Sequence, residues 1–164
     1  MESINIIPTV RLSKLQLSTG SISLVPNQVT AVPLWLALTL RKARHCHIPP
    51  PPFLSLLNLT SILSQELSSP VFTASLPPHW YELALSLFRH APEEFGGELE
   101  EVRRIVQSLR EVRWGKVAAG VKEVDGAPLE LTGLGIMELN VAAKPFLLPA
   151  MLKLCQLRRS TLNQ

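Results

Sequence analysis

The sequence predicts an α+β fold, with a small β-rich N-terminal domain over residues 1–50 and a larger all-α helical domain over residues 51–164. Three observations lead there. Residues 1–33 set β-branched and leucine residues in short runs between turn residues, which is a strand signature. Four consecutive prolines, Pro49 to Pro52, then interrupt the chain; they cannot continue a helix and favour an extended link. Beyond them apolar residues recur every three or four positions, the helical period.

The strands are read in order. Ile4, Ile6 and Ile7 precede Pro8; Leu12, Leu15 and Leu17 precede the turn residue Gly20; Ile22, Leu24 and Val25 precede Pro26-Asn27, and Val29 to Val32 follow it. A module of about 50 residues buries too little surface to be robust alone, so this one is expected to lean on something larger. Pro33 opens a short helix, since a fixed φ is tolerated at the first helical position. Leu34, Trp35, Ala37 and Leu38 are its expected buried stripe, and Arg41, Lys42 and Arg44 load its C-terminus, where cations complement the helix dipole.

After the prolines, Phe53 to Leu67 is leucine-rich with few charges, and residues 69–78 read as a loop. Pro78 to His90 is an amphipathic helix, and Ala91 to Gly97 a second loop. Glu98 to about Glu123 carries the strongest helical pattern, through Leu99, Val102, Ile105, Val106, Leu109, Val112, Val117, Val121 and Val124. Gly115 and Gly120 weaken it by about 1 kcal/mol each relative to alanine, and suggest a bend or a close helix approach. Asp125-Gly126 is a turn, Thr132 to Asn140 a short helix, and the last helix runs to about Leu157, interrupted at Pro149.

Composition narrows the function. Charged residues are 18% of the chain, against about 25% in an ordinary soluble protein. A spanning helix does not explain the deficit: no apolar run approaches the roughly 18 residues required, and the best stretch, Val29 to Leu40, contains Pro33. A large surface buried against partner chains does, because obligate interfaces resemble a domain core cut in half. The formal charge is +3, with the excess at Arg41, Lys42 and Arg44 beside His45 and His47; that patch is too small to argue for a dedicated nucleic-acid binder. The N-terminus shows no secretory signal, and Cys46 and Cys155 form no spaced motif, so reduced thiols are expected.

No constellation of catalytic residues emerges. His45-Cys46-His47 lacks the further ligands that structural zinc needs. Thr132-Gly133-Leu134-Gly135 lacks the third glycine and the preceding strand of a nucleotide loop. Glu93, Glu94 and Glu98 to Glu101 read as solvated charges rather than an acid–base pair. The expectation is a protein that is not an enzyme and uses no cofactor, metal or small-molecule substrate. Tryptophan and arginine are favoured interface anchors. The candidate partner-contact residues are therefore Trp35, Arg41, Lys42, Trp80, Tyr81, Arg113, Trp114, Phe146 and Met151, with Trp114 equally readable as core.

The residues also carry a resemblance. Val32-Pro33-Leu34-Trp35-Leu36-Ala37-Leu38, then Arg41-Lys42-Ala43-Arg44-His45-Cys46-His47-Ile48-Pro49-Pro50, is similar to the distinctive run of the PSF-two family of GINS DNA-replication complex subunits. Ile6-Ile7-Pro8, Leu76-Pro77-Pro78-His79-Trp80-Tyr81-Glu82-Leu83 and Gly135-Ile136-Met137-Glu138-Leu139-Asn140 resemble further segments of that family. Residues 51–69 depart from it, being leucine-rich where the family carries a charged helix. The resemblance implies a nuclear, non-catalytic scaffold: one of four related subunits of a heterotetramer that joins the minichromosome-maintenance ring and a further co-activator in the CMG replicative helicase. Contact with DNA would be at most indirect, and no membrane is involved. The rival reading is a stand-alone nucleic-acid-binding module using Arg41 to His47.

Overall fold

The computed structural model of the chain describes residues 3–17, 20–122 and 133–140. A β-rich N-terminal region comes first and a helical bundle follows, the α+β class expected. The chain divides into two compact units, one of residues 1–59 with 84–103 and the other of residues 60–83 with 104–164.

The first unit holds every strand found among the described residues. β1 (Ser3–Pro8), β4 (Thr30–Pro33) and β5 (Cys46–His47) form a three-stranded antiparallel sheet in the order β4-β1-β5. Ile4 pairs with Val32 and Ile6 with Thr30, while Pro8 pairs with Cys46. This register places Ile4, Ile6 and Val32 in the interior, with the period-two alternation that a half-buried strand requires. β2 (Leu12–Leu17) and β3 (Gly20–Leu24) make a separate antiparallel hairpin, with an irregular register between Leu12 and Leu15. Leu24 is its buried anchor.

α1 (Leu34–Lys42) starts directly from β4 at Pro33 and lies against β1, β4 and β5. Its buried stripe is Leu36, Ala37 and Leu40; Ala37 was expected there, but Leu34, Trp35 and Leu38 were expected in place of Leu36 and Leu40. The phase differs because β4 runs into the helix without a loop, and Trp35 is turned outward at 49% exposure. The helix closes with the paired bonds of a Schellman motif: the His45 amide donates to the Leu40 carbonyl and the Arg44 amide to that of Arg41, both at 2.9 Å. Arg44 occupies the left-handed position (φ 59°) that glycine usually fills, at a steric cost of about 1 kcal/mol. This reversal brings Cys46 and His47 back beside β1 as the short strand β5.

Also in the first unit, a 3₁₀ turn at Pro52–Leu54 follows the prolines and buries Leu54. Of residues 91–97, expected as a loop, 92–97 instead belong to a 3₁₀ segment, Pro92–Glu98, interrupted at Gly96. Gly96 has φ 55° and ψ −137°, a combination that side chains disfavour, so the glycine permits the kink. The segment buries Phe95 edge-on against Phe88, 5.3 Å between ring centres.

Three further helices contribute residues to both units: α2 (Leu56–Ser68), α3 (Trp80–His90) and α4 (Leu99–Lys122). The leucine-rich residues 56–68 are thus helical. In the second unit, Ile62 and Glu66 of α2, Trp80, Tyr81 and Leu83 of α3, and Ile105, Val106, Leu109, Arg113 and Val117 of α4 are buried. From Val102 to Val117 the α4 stripe follows the predicted period, with one substitution: Arg113 takes the interior position after Leu109, while Val112 is only half-buried; the side chains of Val121 and Val124 lie outside the described residues. Gly115 lies on an uninterrupted stretch of helix, and among the described residues nothing lies within 4 Å of a Cβ placed there. The second unit ends, among the described residues, in a single turn, α5 (Ile136–Glu138). The expected turn at Asp125-Gly126 and the last helix, with Cys155, Phe146 and Met151, lie outside the described residues.

Candidate protein-interaction site

In the first unit the basic end of α1 meets the acidic 3₁₀ segment. The Arg41 guanidinium donates to Glu93 Oε2 at 2.6 Å and lies 3.3 Å from Glu94 Oε1. His47 Nδ1 is 3.0 Å from the same Glu94 oxygen. Glu93 and Glu94 are therefore charge partners of α1 and not merely solvated acids. Arg41, Lys42, Arg44, Cys46, His47, His90 and Glu93 line an open depression of about 490 Å³. The Cys46 thiol is buried and directed at the Ala37 carbonyl, 3.7 Å away. Burial pushes its pKa up, against the opposing pull of Arg41, so the thiol stays protonated and unreactive.

The second unit encloses an ion network. Arg113 is fully buried. Its Nε donates to Glu138 Oε1 at 2.7 Å and its Nη2 to Glu138 Oε2 at 2.8 Å, a two-point carboxylate grip. Nη2 also donates to the Gly133 carbonyl at 2.6 Å, and Nη1 donates to Glu66. Glu66, the lone charge of α2 and itself fully buried, further accepts from Lys116 and from the amide (3.0 Å) and hydroxyl (2.8 Å) of Thr73. Glu138 also accepts from the Gly135 amide at 2.7 Å. Two cations thus face two carboxylates, and the Phe72 ring covers both cations, its centre 5.0 Å from the Arg113 guanidinium and 5.6 Å from the Lys116 ammonium. Gly133 sits at φ 79°, where a Cβ would come 3.1 Å from that of Phe72, so glycine is needed for this close approach.

Electrostatics follow from this geometry. Burial alone would raise the Glu66 carboxyl, but its bonds from Lys116 and Thr73 and the charge of Arg113 outweigh it and hold the pKa below the usual glutamate range. Burial would likewise lower the Arg113 pKa, yet Glu138 and Glu66 carry it above the usual value. Glu66 therefore binds a proton less readily folded than unfolded. Its contribution to stability is complete above the unfolded carboxyl value, about pH 4.3, and is lost as pH falls through the lower folded value. Thermal melts between pH 7 and pH 3 should show a steep acid loss for the chain and a shallower one, from a lower starting point, for E66Q. Parallel slopes would remove Glu66 as the group responsible.

The candidate contact residues are placed differently from one another. Trp80, Tyr81 and Arg113 are buried within the second unit. Trp35 and Lys42 are exposed, Arg41 is held by Glu93 and Glu94, and Trp114 is half-buried. Glu66 and Glu138 were not among the candidates. The signal for Glu66 was available: a lone acid in an otherwise uncharged helix, seven residues after Leu59 and so on its buried side. Among the described residues no group of three His, Cys, Asp or Glu side chains is placed to hold a metal ion, and no helix is long and apolar enough to cross a membrane.

Residues 53–151 match the GINS complex protein helical bundle domain, which defines the class of protein as a GINS-type subunit. Residues 1–49 match the PSF2 N-terminal domain. The DNA replication complex GINS protein PSF2 of Candida albicans is 35% identical over 161 residues, 98% of this chain and 79% of the relative. That of Debaryomyces hansenii is 34% identical, covering 97% of this chain and 77% of the relative. The corresponding Schizosaccharomyces pombe protein is 34% identical, covering 85% and 75%. The chain belongs to the PSF2 family of GINS proteins.

Proposed function

We propose that the chain is a non-catalytic structural subunit of the heterotetrameric GINS complex, acting in DNA replication in the nucleus. The observation that carries this reading is the likeness to DNA replication complex GINS proteins along 98% of the chain. Within that role the chain pairs with three other GINS subunits, and the assembled complex joins the minichromosome-maintenance ring and its co-activator in the CMG helicase, in initiation and elongation. ATP hydrolysis belongs to the ring, and contact with DNA is at most indirect. The proline run at Pro49–Pro52 divides the chain into a β-rich part, residues 1–50, and a helical part, residues 51–164.

The chemistry supports a scaffold. In the second unit Arg113 and Lys116 are paired with Glu66 and Glu138, which suits holding a shape. The exposed Trp35 has the character of an anchor awaiting a partner. Among the basic residues of the rival nucleic-acid reading, Arg41 is already committed to carboxylates. Co-expression with the other three subunits should yield a 1:1:1:1 particle on size exclusion with mass determination. A chain that elutes as a stable monomer, apart from its co-expressed partners, would overturn the proposal.

A further inference from the structure

In the second unit, one face of α4 turns away from its buried stripe. Gln107, Arg110, Glu111, Trp114 and Gly115 follow one another at helical spacing there and line a depression of about 360 Å³. Arg110 is its centre. The guanidinium carbon lies 5.1 Å from the centre of the Tyr81 ring and 5.7 Å from that of Trp114. The two rings fix a side chain that would otherwise lose several rotamers on binding. Yet Arg110 Nε is shut off from solvent and has no hydrogen-bond acceptor among the described residues. Closed to water, that nitrogen is closed to an incoming group as well, so an acceptor for the guanidinium pairs with its terminal nitrogens. The neighbouring acid does not supply it: Glu111 Oε1 accepts instead from Gln107 Nε2 at 2.9 Å. Among the described residues nothing lies within 4 Å of a Cβ at Gly115, which leaves room beside the tryptophan.

We infer that this face receives a carboxylate-bearing segment of one of the other GINS subunits, with its Asp or Glu seated on the Arg110 guanidinium and its apolar flank on Trp114. A planar fork held between aromatic rings suits a carboxylate better than a lone carbonyl, because two parallel charge-assisted bonds form at once. The inference rests on the GINS-subunit reading above and assigns one contact surface within it.

The test uses the complete chain co-expressed with the three other subunits. R110E should lower recovery of the assembled particle at least about tenfold, as expected of an interface hot spot, while the melting curve of the variant chain stays that of wild type. R110K retains the charge and puts a primary amine in the same place. Carbodiimide treatment of its particle should then join position 110 to an Asp or Glu of a partner subunit, identified by peptide mass spectrometry. Assembly of R110E within about twofold of wild type would overturn the inference and leave the GINS reading standing. So would an intact R110K particle whose products at position 110 all lie within the chain. Failure of wild type itself to assemble would overturn both.

Discussion

Replacing Arg113 with methionine should destabilise the chain by about 3–5 kcal/mol, the usual result of removing one partner from a buried ion network. The side chain is fully enclosed and supplies donors to Glu138, Glu66 and the Gly133 carbonyl. Without it, among the described residues, Glu138 keeps the Gly135 amide, and Glu66 keeps Lys116 and Thr73. Two carboxylates then remain inside against one cation. In urea titrations of the complete chain the midpoint should fall while the slope of the transition holds. Pairing R113M with E66Q and E138Q should recover part of the loss, because neutral buried groups do not carry the full penalty of unpaired charges. A single variant within about 1 kcal/mol of wild type would mean that water reaches the site and the network is not enclosed as described.

The second large effect is expected at Trp80. Its side chain is 1% exposed and packs edge-on against Tyr81, 5.5 Å between ring centres. The indole nitrogen also approaches Gly135 so closely that a Cβ there would lie 3.1 Å from it. Next to this contact, the Ile136 amide donates to the Pro78 carbonyl at 2.8 Å. W80A should therefore cost about 3–5 kcal/mol, typical of deleting a buried aromatic ring. It should also expose the turn at Gly135–Glu138, so amide exchange at Ile136 and Leu139 should accelerate beyond what global destabilisation explains. Unchanged relative protection at those two amides would show that the turn does not depend on the indole.

Much of the architecture was readable because it rests on periodicity. The strands at Ile4 to Ile7 and Ala31 to Val32 alternate, and the interior face of α4 repeats at three and four residues. What escaped reading depends on contacts between distant residues. β5 is two residues long and exists only because the turn after α1 returns it to β1; with Arg44 in place of glycine at the left-handed position, that turn carries no local signal. The 3₁₀ segment at residues 92–98 begins with proline and contains two glycines, which reads as loop until Phe95 finds Phe88. The phase of α1 was missed because Leu34, Leu36, Leu38 and Leu40 offer apolar residues on every side.

The candidate site was less legible, for a related reason. Arg113 falls four residues beyond Leu109 and four before Val117, in register with the interior, but a pattern built on apolar residues steps over an arginine. Its partners stand 47 and 25 residues away, and no local spacing announces them. Arg110 and Trp114 were separable only once Tyr81 was seen to complete the pair of rings.

The two ion clusters answer ionic strength differently. Glu93 is 83% exposed where it meets Arg41, so added salt competes directly with that pair within a Debye length of about 8 Å. The Arg113–Glu66 pair is closed to solvent on both sides, and mobile ions do not reach it. Rising salt therefore loosens the acidic 3₁₀ segment from the end of α1 while leaving the second unit's network untouched. Amide exchange of Glu93 to Phe95 at low and high salt, set against that of Thr73, reads this contrast directly.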